Sequence, residues 1–450
     1  MNPVMVAARA LVAGRDRATA ILTVVALALP HAVILSVVAG VMMFARRGEA
    51  PLNEIMSQPV HVSLAAFAAI LLVVPAASMG SAAARLGLSR RSRDLAVLRL
   101  IGVSAMRTRL ASVLDTVALS VIGVLAGTAL YIVALPIWSL ITFQEVRLSV
   151  AEMWMGFLPM LVCGLAMVLL AGLSALAAVH RVAVTPLGVA RRSQAHGISW
   201  IWLLVGGLVG VAWFVVLTFG GGFAPMVVMS IALVLLAVFV ALVNLIGTWT
   251  LSVIGWLMAR LARRPAMMLA GRRLMDDPRS VWRSYGSFAF VAFLTGFMLP
   301  VVNLLGATDL SNAPDAPDTH MAKVVVADVS TGMLLTLGIT VVLAAASTAV
   351  NQSIRAIDTV EETRSLFVMG ARPGFLDRAR RTEVLLPALV LIGGGVGVGI
   401  VFVAPMLSGQ GVAAALAWTL PVTLLGILVV VVATEVVAPV RRRVLQASQR

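Results

Sequence analysis

Apolar runs of about 20 residues or more alternate along this chain with short, arginine-rich stretches. A helix needs about 20 residues to cross roughly 30 Å of hydrocarbon, and inside a bilayer only a helix or a closed barrel pairs every backbone group. The runs therefore predict an all-α polytopic membrane protein. Ten spans can be drawn, near residues 18–44, 61–86, 111–135, 153–179, 199–219, 226–259, 285–306, 329–352, 383–406 and 415–438. The sixth is about 51 Å long as a helix, more than a bilayer requires. It predicts tilt, extension past the headgroups, or a break near Asn244 and Gly247. It counts as one span, because splitting it would invert every later loop. The run from Thr19 to Phe44 is too long for the apolar region of a signal peptide and counts as the first span.

Composition agrees with this pattern. Hydrophobic residues make up 61% of the chain and charged residues 12%, more apolar surface than a soluble domain of this length hides. The lone Cys163 excludes a disulfide framework or a cysteine metal site within one chain. Charge then orients the spans. With the N-terminus inside, only Arg46, Arg47, Arg147 and Lys323 of the 34 basic residues lie outside. Eight acids lie outside with them: Glu49, Glu54, Glu145, Glu152, Asp309, Asp315, Asp318 and Asp328. The outside net charge is −4 and the inside +19, which accounts for the whole +15. This is the positive-inside rule at nearly every loop, so both termini are expected in the cytoplasm. The basic balance reports topology and attraction to anionic lipid, not nucleic-acid binding. Arginine outnumbers lysine 33 to 1, in keeping with a high-GC coding sequence and a bacterial inner membrane.

The polar stretches repeat. Residues 90–127 read RRSRDLAVLRLIGVSAMRTRLASVLDTVALSVIGVLAG, and 268 residues later EETRSLFVMGARPGFLDRARRTEVLLPALVLIGGGVG follows from Glu361. Asp94 falls on Glu362, Leu98 on Leu366, Gly102 on Gly370 and Asp115 on Glu383. Before the first span lies VAARALVAGRDR and before the seventh LAGRRLMDDPRSVWR, with Arg9 on Arg272 and Leu11 on Leu274. Pro186, after the fourth span, matches Pro439 after the tenth. The expected organisation is a four-span unit over 1–192, a linking pair of spans over 193–265 and a second four-span unit over 266–450. Both units start from the inside, which makes a parallel repeat about an axis along the membrane normal.

The run LAVLRLIGVS, followed by arginines and a glycine-bearing apolar span, resembles the permease signature of the FtsX-like, MacB-type ABC transporter family. The opening segment ARALVAGRDR resembles that family's start, and the likeness covers both four-span units. The second copy is the more degenerate, with Phe367 where the first has Arg99. The span count resembles the ten-span branch, which includes antimicrobial-peptide resistance permeases. Those relatives carry a large extracellular domain where this chain has only about Gly306 to Asp328. MacB-type relatives carry one between their first two spans, where this chain has Ala45 to Val60. The resemblance thus implies a permease reduced to its membrane part.

It also implies an ATPase in a separate chain, two copies per permease, which binds the ATP and Mg. This chain has no GxxxxGK[ST] loop and no Ser–His–Asp or HExxH pattern, so it is expected to be a non-catalytic subunit without a cofactor of its own. An ATPase must push through a stiff lever with a polar docking face and an apolar face toward the spans. Leu95, Leu98 and Ile101 form one helical stripe while Asp94 and Arg99 point elsewhere, and Gly102 ends the helix, as Gly370 does in the second copy. The coupling candidates are therefore Arg93, Asp94, Leu95, Leu98, Arg99, Ile101, Gly102 and Arg107, with Glu361, Glu362, Leu366, Met369, Gly370 and Arg372 in the second copy. The bland alternative is an interfacial helix that only anchors its arginines in headgroups. Asp115 and Glu383, about a turn into equivalent spans, form either a charged latch with Arg107, Arg109, Arg380 or Arg381, or helix N-terminal charges that only stabilise.

His31, after Pro30, is expected to be a packing histidine, and Glu435 to pair with Arg441–Arg443. Asp309, Asp315, Asp318 and Asp328 are expected in a solvated loop. Export or outer-leaflet extraction of an amphipathic compound, such as a peptide antibiotic, drug or lipid, is the leading function. The substrate-binding residues stay unassigned. A mechanotransmitter acting on cell-wall enzymes or a sensor kinase, with an accessory partner, is the alternative. An ion-coupled secondary transporter is the third.

Overall fold

The computed structural model describes residues 17–57, 60–89, 105–183, 201–222, 224–307, 317–358, 365–366, 368–407 and most positions between 413 and 428. Seven helices are long and apolar enough to cross a membrane, which makes the protein a helical, polytopic membrane protein. Shorter apolar helices, Val60–Leu72, Leu204–Phe219 and Ala415–Leu428, fall where the second, fifth and tenth spans are expected. The chain divides into two compact units, Met1–Arg191 with Ala349–Ile354, and Arg192–Thr348 with Arg355–Arg450.

Unit 1 contains α1 (Arg17–Glu49), α2 (Val60–Ser89), α3 (Ala105–Trp138), the one-turn α4 (Val150–Met153) and α5 (Phe157–Ala183). Helix α1 packs on α2 and α3, and α3 on α5. The α1–α3 crossing is set by Gly123 and Gly127. A Cβ on Gly127 would sit 2.5 Å from the Ala28 carbonyl oxygen, and one on Gly123 would sit 2.6 Å from the Leu27 Cβ. Without a hydrophobic drive inside lipid, such small residues let helices approach and gain dispersion contacts. His31 is fully buried beside this crossing, its Nε2 3.3 Å from the Thr128 hydroxyl.

Unit 2 contains α6 (Ile201–Phe219), α7 (Pro225–Arg260), α8 (Pro265–Asp276), α9 (Pro278–Ala307), α10 (Pro317–Asp358) and α11 (Pro373–Val403). The α9–α11 crossing repeats the device: a Cβ on Gly395 would lie 2.5 Å from the Ala289 carbonyl oxygen, and Gly399 meets the backbone of Phe293. Gly127 and Gly395 are 268 residues apart, the spacing of the polar repeat. The linking helices pack into this unit. The Trp213 indole N–H donates to the Phe402 carbonyl at 2.9 Å, and Phe239 meets Phe402 with ring centroids 4.3 Å apart.

The sixth span, counted as one, is a single unbroken 36-residue helix, α7. Gly247 is no break; its missing side chain makes room for the Trp282 ring of α9. The eighth span starts earlier than drawn, because α10 begins at Pro317. Asp318 and Asp328 therefore lie in a helix rather than a solvated loop, and Asp328 is buried. Asp309, Asp315 and Glu435 lie outside the described residues.

Candidate coupling site

The first copy of the repeated polar element falls almost wholly outside the described residues: Arg93, Asp94, Leu95, Leu98, Arg99, Ile101 and Gly102 cannot be placed, and Arg107 is placed by its backbone alone, in the first turn of α3. Glu361 and Glu362 of the second copy lie outside as well. The rest of that copy is described. Ser365, Leu366 and Val368 are helical, and Gly370 terminates the turn with φ +92°. The Ala371 N–H donates to the Leu366 carbonyl and the Met369 N–H to the Ser365 carbonyl, both at 3.0 Å. This is the left-handed glycine stop that satisfies orphan carbonyls at a helix end. A residue with a Cβ would be strained at that φ. Arg372 then precedes Pro373, which opens α11 at its first position.

This turn exposes what a polar membrane-surface element should hide. Val368 is 77% exposed and Met369 74%. Arg372 is exposed alongside them.

Both acids of the repeat are buried, Asp115 in α3 and Glu383 in α11. Each lies 12 residues before its crossing glycine, Gly127 or Gly395, about 18 Å along the helix. Each shares its face with buried neighbours: Leu119 lies four residues after Asp115, and Ala379 and Leu391 lie four before and eight after Glu383. The structure gives Glu383 a partner that its neighbours in sequence do not suggest. Arg273 of α8 places its Nη1 3.6 Å from the Glu383 carboxylate. Beside the arginines of its own element, this contact joins α11 to the amphipathic helix that leads into α9.

Helix α8 can reach Glu383 because it lies almost on the backbone of α7. A Cβ on Gly271 would be 2.7 Å from the Gly255 carbonyl oxygen, and one on Gly255 would be 2.9 Å from the Gly271 carbonyl oxygen. Ala270, Gly271 and Leu274 are the buried face of α8. The chain turns from α8 into α9 at Asp277, whose carboxylate accepts the Ser280 N–H at 3.0 Å and caps the new helix ahead of Pro278.

A second polar site went unread in the sequence. It lies where α1 turns toward α2 and α3 toward α5. A hairpin pairs Thr142–Phe143 with Val146–Arg147, and its two-residue turn holds Gln144 and Glu145 at φ 56° and 66°. Arg47, 5% exposed, donates from Nε to Glu152 at 2.8 Å, from Nη2 to the other carboxylate oxygen at 3.1 Å, and from Nη1 to the Phe143 carbonyl at 2.9 Å. Ser149 and Glu152 close a capping box on α4. The Arg47 bonds hold the Glu152 carboxyl below its ordinary range, against a smaller opposing effect of burial. Asn53 donates to the Gln144 carbonyl at 3.1 Å, and the Tyr131 hydroxyl donates to the Met153 carbonyl. The sequence signal was the S-x-x-E of Ser149 and Glu152.

Among the described residues, no group of three or more His, Cys, Asp or Glu side chains could hold a metal ion. Compared with family models, with curated proteins and with solved structures, the chain matches none.

Proposed function

We propose that this chain is the membrane subunit of an ABC transporter of the FtsX-like type, coupling ATP hydrolysis in a separate subunit to movement of an amphipathic or hydrophobic compound. The observation that carries the reading is the exposed Val368–Met369 pair on a glycine-stopped turn, placed directly before α11. Exposed apolar side chains rimmed by polar residues mark a partner site. A rigid stop at Gly370 and a proline-started helix make the turn a lever rather than a tether.

Three further observations support it. Buried acids and crossing glycines recur at a 268-residue spacing, as two equivalent levers require. The Arg273–Glu383 pair links α8 to α11, so a push on the turn before α11 reaches α9 through α8. The division into two compact units, the second of which takes in the linking helices, is compatible with a tandem arrangement. In this reading two ATPase copies dock on the cytoplasmic elements around Asp94 and Glu362, and the cargo enters sideways from the lipid.

The test is purification of the full chain from its native membranes in mild detergent, with identification of the co-purifying chains. A soluble chain with a GxxxxGK[ST] loop should be recovered. Val368→Asp combined with Met369→Asp should cut that recovery about tenfold or more, a loss of roughly 1.4 kcal/mol. Equal recovery with the double variant contradicts docking at this turn.

A further inference from the structure

From Arg260, the last residue of α7, through the first turns of α9 the chain carries seven arginines, Arg260, Arg263, Arg264, Arg272, Arg273, Arg279 and Arg283, against two acids, Asp276 and Asp277. Arg273 faces Glu383. Arg260, Arg263, Arg264, Arg272 and Arg279 are exposed. The segment's position is set by its neighbours: one membrane-crossing stretch ends at Arg260 and the next begins at Tyr285. The residues between them must lie at the surface of the bilayer.

The apolar residues here are arranged for that surface. Helix α8 buries Ala270, Gly271 and Leu274, while Met268 and Arg272 project away from α7 and are exposed. Leu261 is exposed at the start of the same segment. Arg260 lies over the exposed Trp256 ring, 5.1 Å from its centroid, the arrangement of an interfacial aromatic with a cation at headgroup depth. A helix with methionine and arginine on its free face is built to lie in the plane of a headgroup layer. The backbone contact of Gly255 with Gly271 keeps it from lifting away.

We infer that the segment from Arg260 to Arg279 is a docking surface for anionic phospholipid headgroups. The exposed guanidinium groups take the phosphates, and Trp256, Leu261 and Met268 enter the acyl boundary. Arginine suits the role because its planar fork binds phosphate in bidentate fashion. The inference is independent of cargo, and also of which partner docks at Val368 and Met369.

The experiment is native mass spectrometry of the full chain in detergent, with phosphatidylglycerol and phosphatidylcholine added in equal amounts. The wild-type chain should retain phosphatidylglycerol in preference by about tenfold, as several surface arginines imply. Arg263→Gln, Arg264→Gln, Arg272→Gln and Arg279→Gln together should bring the two lipids to near parity. The four Arg→Lys changes, which keep the charge and test for folding damage, should preserve most of the preference. Glycerol 3-phosphate at the same concentration should not displace the lipid. No preference in the wild type, a preference kept by the glutamine variant, or displacement by glycerol 3-phosphate would each overturn the inference; the last would point to a soluble phosphate instead.

Discussion

The Arg47–Glu152 pair of unit 1 and the Arg273–Glu383 pair of unit 2 use the same chemistry to opposite ends. Arg47 grips both carboxylate oxygens at 2.8 and 3.1 Å and a backbone carbonyl besides, and Glu152 is tied into a capping box. Arg273 stands 3.6 Å from Glu383, beyond hydrogen-bond length. The buried partner also differs: it is the arginine in the first pair and the carboxylate in the second. The first pair is a staple that fixes two loops of unit 1. The second is a longer contact between α8 and α11.

The contrast can be broken most directly at the staple. Glu152→Ala strands the buried Arg47 guanidinium and removes the α4 capping box, and should cost about 3 kcal/mol, read as a lower thermal unfolding midpoint in detergent. Next come the crossings. Gly395→Val and Gly127→Val each force a side chain into a neighbouring carbonyl, and each should cost on the order of 2 kcal/mol. Similar losses would sharpen the equivalence of the crossings, whereas a loss in only one would break it. At the longer contact, Arg273→Gln should cost about 1 kcal/mol. It should nonetheless uncouple ATP hydrolysis from transport in liposomes, and the swap Arg273→Glu with Glu383→Arg should recover part of the coupling.

The smallest effect is the pH dependence of the staple. Glu152 is held below its ordinary range in the folded chain, so its contribution is present above the unfolded carboxyl value, near 4.3. That contribution fades as pH falls through the lower folded value. The wild-type unfolding midpoint should therefore fall more between pH 6 and pH 3 than that of Glu152→Gln. Parallel losses would remove the staple from the account.

Seven of the spans were legible because lipid favours apolar residues along a crossing helix, and the run 285–306 carries no charged residue. The start of α10 was not, because Asp318, Lys323 and Asp328 look like loop residues until the fold buries Asp328. Gly370 was legible as a helix stop because a local backbone need selects glycine. The partners of Glu383 and Glu152 were not. Arg273 lies 110 residues from Glu383, and Arg47 lies 105 from Glu152, and no local pattern encodes a meeting at that separation. Gly247 shows the same limit: a glycine suspected of breaking a helix is instead the space left for Trp282.

The central claim is that one chain carries two equivalent levers for two copies of an ATPase. Native mass measurement of the detergent-purified complex tests it directly. The account predicts one copy of this 47.2 kDa chain with two copies of a single ATPase. Two copies of this chain in the complex, or no ATPase under conditions that preserve bound lipid, would contradict it.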